Sequence, residues 1–206
     1  MNVINYDKEM QNIIERLGEK TPRLLLHSCC GPCSSYCLEE LDPYFLLTVF
    51  YYNPNIDTEE EYVKRQNEQK RFIAEHPWKH PVDLVENEYD KASFGEIAKG
   101  REMIPEGGER CFACYRLRLE KTARYAKEHG YDYFATTLTV SPLKNADVLN
   151  KIGMELGSRY GVAFLPTDFK KRNGYVKSVE ISKKYDMYRQ DYCGCVYSKE
   201  ERKNKQ

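Results

Sequence analysis

The chain has a single tryptophan, no net charge and no long apolar run, and each shortage removes a class of function. Lys and Arg number 32 and Asp and Glu number 32, so overall charge does not argue for a polyanionic partner; only a local patch can. No stretch approaches the roughly 18–20 apolar residues of a membrane-spanning helix. Asp7, Glu9 and Glu15 interrupt any apolar region near the start, so no secretory signal is expected and the expected location is cytoplasmic. Internal repeats, low-complexity tracts and any flavin or nicotinamide fingerprint are also missing.

What is present is cysteine and tyrosine. The 17 tyrosines can serve as amphipathic core edges or as stacking platforms for bases, and composition does not choose between them. Seven of the eight cysteines fall in three tight groups beside Gly or Pro: Cys29-Cys30-Gly31-Pro32-Cys33, Cys111-Phe112-Ala113-Cys114 and Cys193-Gly194-Cys195. In a reducing compartment such clusters point to metal ligands or redox groups rather than structural disulfides. A scattered-core reading would place them singly on apolar faces. Cys37 fits that reading, as a small buried residue one helical turn past Cys33.

Apolar periodicity predicts alternating helices and strands. A first helix spans residues 2–18, and Leu24–Leu26 form a buried strand ending in His27 and the first cysteine loop, with Gly31-Pro32 as a turn and a helix from near Cys33. Phe45–Tyr52 is a second strand. Thr58 and Glu61 fit a capping box for a helix running to His76-Pro77, and Pro81–Val85 is a third strand. The glycine-bearing stretch 86–110 carries a short helix near Ala92–Ala98, and the next helix holds Cys111 and Cys114 in its first turn, where free amides and the helix dipole favour thiolates. Tyr133–Val140 is a fourth strand, Ser141-Pro142 caps a helix reaching Tyr160, and Val162–Leu165 is a fifth strand. A last helix covers Tyr175–Tyr188, followed by a frayed tail over Lys199–Gln206. The pattern implies one α/β domain over 1–206, a three-layer parallel sheet of Rossmann-like class. Its cysteine loops converge at the carboxyl edge of the strands, covered by the 86–110 insertion and the 189–206 segment.

The ligand count favours iron–sulfur chemistry over one zinc. A tetrahedral zinc uses four thiolates at most, and adjacent Cys29-Cys30 chelate one small ion poorly, whereas they suit two corners of a cluster. Cys29, Cys30, Cys111 and Cys114 would complete a [4Fe–4S] cube, leaving Cys33, Cys193 and Cys195 for a second metal with an open position. His27 either donates a hydrogen bond to a cluster sulfide or is a satisfied core histidine. Lys170-Lys171-Arg172 follows a strand and so opens on the ligand edge, where it can meet phosphate. Arg116–Arg124 reads mostly as a solvated helix face.

Five blocks carry a resemblance to a known family: His27-Ser28-Cys29-Cys30-Gly31-Pro32-Cys33, Tyr52-Asn53-Pro54-Asn55-Ile56, Cys111 through Arg118, Thr136 through Pro142, and Tyr192-Cys193-Gly194-Cys195. Together they resemble the cobalamin-independent epoxyqueuosine reductases, the QueH family. That resemblance implies an adenine-nucleotide-hydrolase-like fold and the last step of queuosine biosynthesis, in which the epoxide of epoxyqueuosine in the tRNA anticodon loop becomes the cyclopentene of queuosine. It also implies a [4Fe–4S] cluster on Cys29, Cys30, Cys111 and Cys114. An adjacent mononuclear iron would sit on Cys193, Cys195 and Cys33, where some members carry Asp; a thiolate there makes the metal softer. With no cofactor fingerprint in the chain, the expected electron donor is a separate small redox protein. Tyr192, Asp191 and water are equal candidates for the proton source, and Lys170, Lys171 and Arg172 for tRNA contact.

Two other classes compete. One is a zinc-stabilised, non-catalytic nucleic-acid-binding module. The other is an ATP-dependent tRNA-modifying enzyme on the same fold, which needs a Ser-Gly-Gly-x-Asp-type phosphate loop where this chain has Ser28-Cys29-Cys30-Gly31-Pro32-Cys33.

Overall fold

Leu24, Leu25 and Leu26 are each fully buried, which fixes β1 (Arg23–His27) at the centre of the molecule with both faces covered. The computed structural model describes residues 4–204. Around β1, all pairings are parallel: β2 (Leu46–Tyr51) on one side and β4 (Tyr133–Thr136) on the other, with β3 (Asp83–Glu86) and β5 (Ala163–Phe164) outermost. The strand order is β3-β2-β1-β4-β5. It reverses direction between β1 and β4, and an open α/β sheet binds its ligands in the crevice at that point.

The odd and even positions of the strands feed two cores. Leu24, Leu26, Leu47 and Val49 pack with α1 (Tyr6–Leu17), α2 (Gly31–Leu41), α3 (Glu59–Glu75) and α7 (Gly174–Lys184), through Met10, Leu38, Phe72 and Ile181. Leu25, Phe50 and Phe134 pack on the other face with α5 (Glu109–Glu128) and α6 (Ala146–Tyr160), through Leu119, Ala123, Leu149 and Leu156. The three-layer parallel α/β class is therefore as expected. The short α4 (Lys91–Ala98) leans on α5, and α8 (Val196–Lys203) follows the last cysteine pair. No helix among the described residues is long and apolar enough to cross a membrane.

Several boundaries differ from expectation, for local reasons. Gly31-Pro32 is not a turn but the first turn of α2, where a missing proline N–H costs nothing. The fourth strand stops at Thr136, because its hydroxyl accepts from the Leu138 amide (3.1 Å) and turns the chain into a 3₁₀ segment over Thr137–Val140. Asn145, rather than Ser141-Pro142, caps α6 through the Val148 amide (3.1 Å). The last-but-one helix ends at Lys184, four residues early. The tail expected to fray forms α8, held by Arg110–Glu201 (3.2 Å) and Lys199–Asp57 (2.8 Å); Lys205 and Gln206 lie outside the described residues, as do residues 1–3.

Candidate metal centre

β1 hands the chain to the first cysteine loop at the reversal point. Ser28 N–H still donates to Phe50 O (3.0 Å), so the strand register reaches the loop itself. Asn53 then donates to Ser28 O (2.9 Å), and the hydroxyls of Ser28 and Ser34 both donate to Gln69 Oε1 (2.7 Å each). On this pinned backbone the sulfurs of Cys29, Cys30 and Cys33 lie within 4.8 Å of one another. Cys30 is held well below the usual thiol range, first because Cys29 donates to it, then by Cys33, Arg65 and Gln190.

The other four thiols form a second group. Cys111 and Cys114 sit three apart in the first turns of α5, and Cys195 is the N-cap of α8, accepting from Ser198 N–H (3.4 Å). Gly194 turns the chain between Cys193 and Cys195 with φ 126°, a conformation that favours glycine. Its carbonyl accepts from Asp57 N–H (2.9 Å), which ties the pair to the loop after β2. Cys111, Cys114, Cys193 and Cys195 line a small, water-sized cavity of about 10 Å³ with Phe94, Arg110 and Arg118. Cys193 and Arg118 also face a larger cavity of about 130 Å³, whose wall holds Cys29 and Cys33. Six of the seven clustered cysteines thus line these two cavities, which share Cys193 and Arg118, and Cys30 lies beside Cys29 and Cys33.

Burial first, and then the neighbouring thiols, push Cys114 up to about 11 and Cys195 up to about 12, so as free groups they stay protonated. A bound metal reverses that preference outright. The surroundings are arranged for sulfur that carries charge. Lys144 Nζ lies 3.0 Å from Cys193 Sγ, Gln190 Nε2 3.0 Å from Cys30 Sγ, and Gly107 N–H donates to Cys111 Sγ at 3.2 Å. Arg65, Arg110 and Arg118 are each 1% exposed and Lys144 is 8% exposed. A protein interior does not accumulate cations without anions to match them.

Comparison with known proteins fits this centre. The sequence profile of the family described as Epoxyqueuosine reductase QueH matches residues 24–201. The chain belongs to the QueH family. Proteins called epoxyqueuosine reductase QueH from Staphylococcus epidermidis and Streptococcus pyogenes are 46% and 43% identical to it. Each match covers 95% of this chain, and 84% and 78% of those proteins respectively. The one from Thermotoga maritima is 35% identical over 88% of this chain and 93% of its own length. Among solved structures, the U34-tRNA thiolase NcsA from Methanococcus maripaludis, described with its [4Fe-4S] cluster, superposes with a TM-score of 0.52. Identity is 14%, with 93% of this chain and 67% of that one covered, so the likeness is one of fold.

The other residues singled out in this QueH-family sequence are more scattered in role. Both ring nitrogens of His27 are engaged by Thr136, Tyr52 and Arg118. Burial first, and then the charge of Arg118, push its imidazole down to about 3. The neutral ring accepts from Arg118 Nε at Nε2 (3.1 Å), while Nδ1 meets Thr136 Oγ1 (3.0 Å). The expected hydrogen bond to a cluster sulfide is thus replaced by a grip on Arg118. Tyr192 and Asp191 both line the larger cavity, but the Tyr192 hydroxyl donates to Asp57 (2.9 Å), and burial with that bond raises its pKa. Lys170-Lys171-Arg172 is not one free patch: Lys170 pairs with Asp168 (3.1 Å), and Arg172 with Asp7 (2.9 Å) and Glu40 (2.8 Å). Only Lys171 of the three is without an ion pair among the described residues. Cys37 is fully buried among Leu38, Leu41 and Phe169 and donates to Cys33 O (3.3 Å), the core residue it was read to be.

Sequence reading missed the buried cations. Arg118 was placed on a solvated face, yet it lies four residues past Cys114 and seven past Cys111, and so shares their helix face. That spacing was the available signal. Lys144 and Arg65 gave none, because their approach to the cysteines depends on tertiary packing.

Proposed function

We propose that this chain reduces the epoxide of epoxyqueuosine in tRNA to the alkene of queuosine, releasing the oxygen as water. The observation that carries the reading is that the clustered thiols gather around two cavities that share Cys193 and Arg118, with buried cations beside them. The donor set fits an iron–sulfur cluster with a neighbouring iron. Cys29, Cys30, Cys111 and Cys114 would hold the [4Fe–4S] cluster, and Cys33, Cys193 and Cys195 the mononuclear iron. This division takes members from both groups of thiols described above. When bound, the cluster supplies electrons one at a time and the iron, with an open position, draws density from the epoxide oxygen.

The chain's own groups do the rest. Removing the oxygen consumes two electrons and two protons, and no side chain stores the electrons, so a separate small redox protein serves as donor. Leu138, Val140 and Leu143 give the cavity one apolar wall against which a splayed base packs. Tyr175, 42% exposed, stands at its edge as a stacking ring. Asp191 is exposed on the cavity wall, which places it to relay protons from solvent better than Tyr192, whose hydroxyl donates to Asp57. Phosphate contacts come from the exposed Lys171 and Arg202, with Lys170 and Arg172 set back by their ion pairs. The substrate's anticodon loop is single-stranded, so presenting its base avoids the cost of opening a duplex, roughly a few kcal/mol. Such an enzyme works in the cytoplasm, where tRNA is matured.

Mass spectrometry of digested tRNA tests the function. Anaerobically prepared, reduced protein is expected to convert the epoxide nucleoside to one lighter by a single oxygen atom. An untouched epoxide, with iron and sulfide intact and a strong reductant present, would sink the proposal.

A further inference from the structure

The buried cations around the thiols are not equivalent. Arg65 is neutralised by Glu61 (2.6 Å), Arg110 by Glu201 (3.2 Å) and Lys144 by Glu106 (3.7 Å). Arg118 is 1% exposed and, among the described residues, has no carboxylate within ion-pair distance. Its neighbours are a neutral imidazole, an amide and sulfur: Nε donates to His27 Nε2, Nη2 donates to Asn53 Oδ1, and Cys114, Cys29 and Cys193 are the groups whose charge would stabilise it. Among the described residues, the guanidinium is also the one cation that faces both the small cavity of Cys111, Cys114 and Cys195 and the larger cavity of Cys29 and Cys33.

This platform is built in layers. Asn53 is itself fixed by donating to Ser28 O, next to Cys29 in the chain, and His27 is fixed by Thr136 on the neighbouring strand. Both acceptors that hold Arg118, His27 Nε2 and Asn53 Oδ1, therefore belong to side chains anchored to the strand ends and the loop that present the cysteines. An uncompensated charge held this firmly in the interior requires an anion that arrives with folding or loading.

We infer that Arg118 is the built-in counter-ion of the iron–sulfur centre, positioned by His27 and Asn53, and that its charge raises the centre's reduction potential. The inference rests on the cluster reading above. An electron added to a thiolate-ligated cluster makes it more negative, and a fixed cation at the edge of a poorly screened site favours that form. Net charge and hydrogen bonds to the sulfurs are among the quantities that set such potentials. Arg118 is a positioning residue here: it acts through the cluster, not on the epoxide.

A redox titration followed by electron paramagnetic resonance tests this on four anaerobically prepared proteins, with iron and sulfide measured on each: wild type, Arg118→Met, Arg118→Lys and Asn53→Asp. Methionine keeps much of the volume without the charge. Lysine keeps the charge without the fork. Aspartate at 53 keeps the acceptor for Nη2 and cancels the charge in place. The expected result is a lower midpoint potential in Arg118→Met and Asn53→Asp, and a value near wild type in Arg118→Lys. If Arg118→Met holds no iron while Arg118→Lys does, the charge is needed for loading, and the counter-ion role stands. Loaded Arg118→Met or Asn53→Asp with the wild-type potential would overturn the inference, as would Arg118→Lys losing iron or potential as far as Arg118→Met. A wild-type protein without iron and sulfide would instead remove the cluster reading itself.

Discussion

Cys114→Ser is expected to abolish the visible absorption of the protein and its epoxide reduction together, whereas Cys195→Ser keeps the absorption and loses only turnover and one iron. A serine hydroxyl does not ionise in this setting and is a harder ligand, so a cube corner made by residue 114 is left open. Cys114 is 6% exposed, so no exposed side chain from the surface takes its place. Cys195 caps α8 through the Ser198 amide, and serine is itself a good cap, so the helix survives the exchange. Iron analysis and absorption spectra of the two variants separate the metals. If Cys195→Ser empties the cluster and Cys114→Ser spares it, the division of ligands is inverted.

Gly194→Ala is the second large effect. The residue has φ 126°, and an added Cβ would lie 3.1 Å from Arg65 Nη1, 3.2 Å from Asn55 Nδ2 and 3.3 Å from Ile56 Cγ1. Strain of roughly 1–3 kcal/mol follows from the backbone conformation alone. The guanidinium is itself held, by Glu61 and by the Cys193 carbonyl (3.3 Å), so it cannot retreat freely. The chain must relax by moving Cys193 or Cys195. The expected outcome is a protein of near-normal fold with about one iron fewer and no measurable epoxide reduction. Full iron content with wild-type turnover in Gly194→Ala would show that the Cys-Gly-Cys geometry is not what positions the second metal.

The parts of the fold set by neighbours in sequence were legible. Leu24–Leu26 announced the central strand, Thr58 capped its helix through the Glu61 amide (3.2 Å) as expected, and Gly18 ended the first helix with φ 58°. What escaped depended on distant partners. Thr137–Val140 looked like strand, but the Thr136 hydroxyl turns the chain there. The final helix looked frayed because its anchors, Asp57 and Arg110, are far upstream. The basic run Lys170-Lys171-Arg172 looked free because Asp7 and Glu40, which hold Arg172, are remote in sequence. At the site, cysteine spacing gave the thiols but not their counter-charges. Arg118 was legible only through its helical offset from Cys111 and Cys114, since charge is read as solvated by default.

Metal analysis of anaerobically purified protein tests the central claim most directly. One cube and one iron on seven thiols require about five irons and four sulfides per chain, in a brown protein that bleaches in air. Stoichiometric zinc without inorganic sulfide would contradict it.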